Sequence, residues 1–214
     1  MRTQYDLELN ALHGRLIEMG NLCEQAIEMT NEALQGQNDG VLDKAAAKEK
    51  AIDKMERDIE NRCTGLILLQ QPVATDLRNI AAALKMITDM ERIGDQAFDI
   101  ADILKSRDLS ESLHRTHLEE MAKDTIEMVR NSVEAYVRSD LKMAQAVVDM
   151  DDQVDALFIK VREELSREVP RVAATDEALL DLLLIAKYYE RIGDHAVNIA
   201  QWVVYAITGF HQED

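Results

Sequence analysis

The pentapeptide ERIGD stands twice in the chain, at Glu91–Asp95 and again at Glu190–Asp194. The first copy lies in "ITDMERIGDQAFDIADIL" and the second in "AKYYERIGDHAVNIAQWV". Both contexts carry the apolar spacing of a helix, and each sets a glycine inside it. "KAIDKM" at 50–55 resembles "DQVDAL" at 152–157, and "PVATD" at 72–76 resembles "RVAATD" at 171–176. Such self-similarity constrains the fold more than any single motif: what the first half builds, the second half builds again. The expected units are residues 1–108 and 109–214, one repeat each.

Breaks between elements are few, because the chain has only 2 prolines and 8 glycines. "GQNDG" at 36–40, "QQPVAT" at 70–75, "SRDLSES" at 106–112, "RSD" at 138–140 and "EVPRVAAT" at 168–175 read as turns or polar connections. Six long segments lie between them. In the first, Leu9, Leu12, Leu16, Met19, Cys23, Ile27 and Leu34 recur in steps that align one apolar stripe on a helix. In the fourth, Leu118, Met121, Ile126, Val129 and Val133 do the same. Alanine, leucine, glutamate and methionine are strong helix formers, and aromatics make up only 4%. The expectation is all-α: six long antiparallel helices in two tandem three-helix bundles. Thr75–Asp76 and Thr175–Asp176 fall where a helix should begin, and an acid there suits the helix dipole.

Residues four apart share a helix face. Glu91 therefore neighbours Asp95, and Glu190 neighbours Asp194. The preceding helix of each unit has its own acid pair, Glu49 with Asp53 and Asp151 with Asp155. In an acidic chain such pairs arise by chance, so their register carries the weight. Asp53 and Glu91 are equidistant from Pro72, as are Glu49 and Asp95. The pairs Asp155–Glu190 and Asp151–Asp194 share a midpoint near Val172. An antiparallel hairpin then brings four carboxylates to one height in each unit. Like charges held together need a cation, an arginine or a proton. Arg92 and Arg191 point roughly 100° from their glutamates on the helical wheel. All-oxygen ligands favour magnesium, calcium, manganese, iron or zinc, with Asp99 and Asn198 able to extend each row. A di-iron bundle needs histidine three residues after the glutamate, where this chain has Gly94 and Gly193. Each glycine costs about 1 kcal/mol relative to alanine, which close approach of a backbone or ligand would offset.

The net charge of −17 disfavours nucleic acid and anionic lipid surfaces. Cys23 and Cys63 follow no metal or disulfide spacing. The N-terminus lacks the apolar core of a signal peptide, and no apolar run reaches membrane-spanning length, so a cytoplasmic location is expected. His195 reads as a surface residue, and Tyr188, Tyr189 and Trp202 as packing residues. There is no nucleophile–base constellation and no phosphate-binding loop, so no enzyme is expected.

The doubled ERIGD followed by "FDIA" and "VNIA", with "QPVATDLR" at 71–78 opening the third helix, resembles the PhoU family of phosphate-uptake regulators along essentially the whole chain. The resemblance implies a cytoplasmic accessory protein of phosphate transport and a negative regulator of the phosphate-starvation response. It would act as an adaptor between the transporter's ATPase and a membrane sensor histidine kinase, as a homo-oligomer, with a dimer expected. Some members of the family hold multinuclear iron or zinc through acid-x-x-x-Asp motifs. Here these fall on Glu49 and Asp53, Glu91 and Asp95, Asp151 and Asp155, and Glu190 and Asp194. Either Asp151 or its neighbour Asp152 could face the second site. A metal-storage or carboxylate–metal bundle protein is the alternative.

Overall fold

The computed structural model describes residues 2–36, 39–70, 74–106, 109, 116–169 and 177–210. Pro72, Val73, the core of the 106–112 break, Pro170 and the Thr175–Asp176 pair lie outside these residues. Six helices account for almost all of the rest: α1 (Arg2–Leu34), α2 (Val41–Gln70), α3 (Ala74–Ser106), α4 (Leu118–Arg138), α5 (Leu141–Glu168) and α6 (Ala178–Thr208). The all-α expectation holds. None of these helices is long and apolar enough to cross a membrane.

The predicted stripes are the core. Leu12, Leu16, Met19, Cys23, Ile27 and Leu34 are all buried along α1, as are Leu118, Met121, Val129 and Val133 along α4. Each large apolar side chain so buried contributes about 1.5–3 kcal/mol before the entropy of ordering it is counted. The connections follow from local chemistry. Gly36 and Gly40 both take positive φ (90° and 66°) around the first turn. At the "RSD" break, Ser139 enters the left-handed region at φ 52°. Asp140 then caps α5, its Oδ1 accepting from the backbone N–H groups of Lys142 (2.9 Å) and Met143 (3.1 Å). Asp76 falls in the first turn of α3, as the sequence suggested.

Helices α1, α2 and α3 pack on one another, and so do α4, α5 and α6. The two bundles meet through α3 against α6 and α1 against α4. Both crossings are antiparallel. Along the first, Lys85 lies over the Trp202 ring, Asp89 meets Asn198, and Asp99 meets Tyr188. Along the second, Gly20 lies against Val133 and Glu24 binds Arg130. Asp89 and Tyr188 each precede an ERIGD by two residues, and Asp99 and Asn198 each follow its glycine by five. The Asp89–Asn198 and Asp99–Tyr188 contacts are therefore the same two positions with the copies exchanged. This is the signature of an approximate two-fold axis near the level of the two motifs.

Candidate functional site

Each ERIGD sits midway along the last helix of its bundle, with its acids at the edge of the apolar face. In the second bundle Asp151 feels the charges of the other three predicted carboxylates. Asp151 is pushed up to about 6 by partial burial and by the charges of Asp155, Asp194, Glu190 and Asp152. Asp194 is likewise raised, first by burial and then by Glu190, with Lys187 pulling the other way. Of the two candidates, Asp151 is the one against the motif: a Cβ on Gly193 would lie 3.5 Å from its Oδ1. Lys187 forms a salt bridge with Glu190 one turn back on α6 and also lies 5.6 Å from the centroid of the Phe158 ring.

The first bundle differs in two ways. Glu91 is raised by burial and by Asp95, with Glu56 and Asp53 adding to it from α2. Glu56 was not among the predicted acids. Glu49 lies half-buried one turn before Asp53. The predicted Asp53 is thus beside Glu91, with Glu56 added to it, and Gly94 lies against Ile52, two residues from the position that equal distance from Pro72 pairs with it. Arg92 also overturns its position on the wheel. Its Nη1 donates to Oδ2 of Asp95 at 3.1 Å, and its Nε stands 3.5 Å from Oε2 of Glu91. A long flexible stem can fold back over the same turn, which a projection of Cα positions does not show. In the second copy, Arg191 exerts its pull on Asp99 of the other bundle, where Tyr188 also hydrogen-bonds.

The glycines have distinct surroundings. A Cβ on Gly94 would come within 2.9 Å of Cδ1 and 3.3 Å of Cγ2 of Ile52, so here the glycine admits α2 itself. At Gly193 the nearest atoms, Oδ1 of Asp151 and Cγ1 of Val154, are both at 3.5 Å, an ordinary contact distance. Packing alone does not require glycine at this second position.

His195 is not a surface residue. Its Nδ1 stands 2.9 Å from Oδ1 of Asp89, both side chains are mostly buried, and Asn198 Nδ2 donates to the same oxygen at 3.2 Å. The sequence reading missed this contact because Asp89 belongs to the other bundle. Gln96, the counterpart of His195 in the first copy, is 5% exposed, and its Oε1 has no protein partner. Tyr189 is fully buried, as expected, and its hydroxyl lies 2.9 Å from Oγ1 of Thr30 across the bundle boundary. Both cysteines are buried and free, and burial pushes the Cys63 thiol up to about 12.

Among the described residues, no three acidic, histidine or cysteine side chains converge closely enough to hold a metal ion as they stand. The donor set is nevertheless of the kind a hard cation takes: carboxylates, with Asp151 and Glu190 half-buried and Asp155 and Asp194 exposed, crowding Asp151, and with Lys187 paired to Glu190.

This arrangement defines a class first: a tandem pair of three-helix bundles with a duplicated acidic motif. Solved structures share the fold. A PhoU crystal structure from Pseudomonas aeruginosa superposes with a TM-score of 0.85 at 28% identity, covering 96% of this chain and 100% of that one. The fold is also that of a phosphate transport system regulatory protein PhoU from Streptococcus pneumoniae, with a TM-score of 0.89 at 24% identity, covering 98% and 100%. The PhoU domain matches twice, over residues 16–104 and 118–203. A Clostridium acetobutylicum protein described as a phosphate-specific transport system accessory protein PhoU homolog is 36% identical over 212 residues, 97% of this chain and 96% of that protein. A Zymomonas mobilis protein of the same description is 36% identical over 206 residues, 96% and 87% of the two chains. The chain belongs to the PhoU family.

Proposed function

We propose that this protein is a cytoplasmic regulator of phosphate uptake that acts by binding rather than by catalysis. It serves as an accessory to the phosphate transporter, relays the state of the transporter's ATPase to a sensor histidine kinase, and represses the phosphate-starvation response. The observation that carries the reading is the match of both repeats to the PhoU domain, together with a full-length relative described as a transport-system accessory protein. Binding of the purified chain to the isolated ATPase subunit and to the kinase's cytoplasmic portion tests it. Saturable binding to both supports the adaptor role, and binding to neither refutes it.

The repeats, residues 1–108 and 109–214, each supply one acidic hairpin. Cation binding on these faces is part of the proposal, with Glu49, Asp53, Glu91 and Asp95 in the first and Asp151, Asp155, Glu190 and Asp194 in the second. The second hairpin is the better supported, because a divalent ion would relieve the crowding that raises Asp151. The carboxylates must swing inward to close around it. Equilibrium dialysis against manganese and zinc checks this. Retention that Asp151→Asn/Asp194→Asn abolishes is the expected result, and no retention by the unaltered chain removes cations from the account.

A further inference from the structure

The two ERIGD motifs carry the same arginine, and the fold uses it differently in each. Arg92 turns back over its own motif. Its Nη1 donates to Oδ2 of Asp95 at 3.1 Å, and its Nε stands 3.5 Å from Oε2 of Glu91. One planar guanidinium thus spans both carboxylates of the pair. Its charge reaches α2 as well. Burial and the charges of Glu60 and Asp53 push Glu56 up, and Arg92, with Arg57, pulls it back. Ile52 seats against Gly94 and brings this stretch of α2 close, so that Glu56 and Asp53 both bear on Glu91. Arg92 is the cation that these acids share.

Arg191 is placed otherwise. It lies one turn along α6 from Tyr188, which hydrogen-bonds Asp99 of the other bundle, and its charge bears on both. The sequence supplies the reason. Asp99 and Asn198 hold the same position in the two repeats, and both face the opposite helix across the seam. Arg191 has the Asp99 carboxylate on the far side of the seam to draw it. For Arg92 the matching position is Asn198, which carries no charge, so its own acids attract it. In the second hairpin Lys187 pairs with Glu190 and pulls on Asp194. The charges that crowd Asp151 are those of Asp155, Asp194, Glu190 and Asp152, all negative.

We propose that Arg92 is the built-in counterion of the first hairpin and excludes a divalent cation from it, so that the second hairpin is the one that takes such an ion. The proposal rests on the cation reading above and narrows it from two hairpins to one. Crowded carboxylates are answered by a guanidinium or by a metal ion, and the two compete for the same oxygen lone pairs. Substituting glutamine for Arg92 removes the competitor. Substituting lysine keeps its charge.

Equilibrium dialysis of the purified chain against manganese, with bound metal counted per chain, tests this. The unaltered chain is expected to retain one ion, and Asp151→Asn/Asp194→Asn to retain none. Arg92→Gln is expected to retain a second ion, which persists when Asp151→Asn/Asp194→Asn is added. Arg92→Lys is expected to stay at one, since charge keeps the first hairpin closed. Circular dichroism confirms that each variant remains helical. Two ions on the unaltered chain, or one that outlasts Asp151→Asn/Asp194→Asn, overturns the proposal and leaves cation binding itself standing. So does a count that Arg92→Gln fails to raise, or that Arg92→Lys raises. No ion on the unaltered chain overturns both the proposal and the cation reading, whatever the variants retain.

Discussion

At Gly94 a methyl group would press on Ile52, which is fully buried and has little room to yield. Gly94→Ala is therefore expected to lose about 1 kcal/mol despite alanine's better helix propensity, because overpacking outweighs it. Gly193→Ala meets only ordinary contacts and is expected to be neutral or to gain up to about 1 kcal/mol. Urea unfolding of the two variants separates these outcomes. The second glycine thus leaves space in front of the Asp151 carboxylate, and the first leaves space for a helix. The sequence showed two identical pentapeptides and gave no means to tell these roles apart, because the difference lies in what faces them. The same is true of Arg92, whose bond to Asp95 depends on a rotamer. Asp151→Asn removes a half-exposed, crowded charge. It is expected to stabilise the fold at pH 7 by about 1 kcal/mol after screening by solvent is allowed for.

At the scale of helices, the apolar stripes of α1 and α4 could be read directly, since burial follows periodicity within one element. The pairing of α5 with α6 was also legible, as equal distance from a turn predicts which residues come near one another, and Asp151 does feel the charges of Asp155, Glu190 and Asp194. The same reasoning missed Glu56 in the first hairpin, where Gly94 seats on Ile52 and packing sets the register. Contacts between bundles were not legible at all, because no local pattern says which face of α3 meets α6. These contacts are polar as well as apolar. Tyr189→Phe removes a hydroxyl that bridges α6 to Thr30 of α1, while Thr30 keeps its bond to the Ile27 carbonyl at 2.7 Å. The expected cost is about 1 kcal/mol. A double-mutant cycle with Thr30→Val should show coupling between the two bundles rather than additivity.

Among the described residues, each acid that departs from its ordinary range does so upward: Glu56, Glu91, Asp99, Asp124, Asp151 and Asp194. Burial leads in every case. The folded chain therefore binds protons more tightly than the unfolded chain, and stability from these groups is fully present at low pH and lost as pH rises through about 6. The thermal midpoint is expected to be higher at pH 5.5 than at pH 7.5, with the gap narrowed by Asp151→Asn/Asp194→Asn. Stored electrostatic repulsion of this kind would be relieved by a bound cation. The central claim is that this PhoU-family chain restrains the phosphate-starvation response, and alkaline phosphatase activity in a deletion strain grown in abundant phosphate tests it most directly. The account predicts constitutive activity, silenced again when the intact chain is restored. Activity that stays repressed without the chain would contradict it.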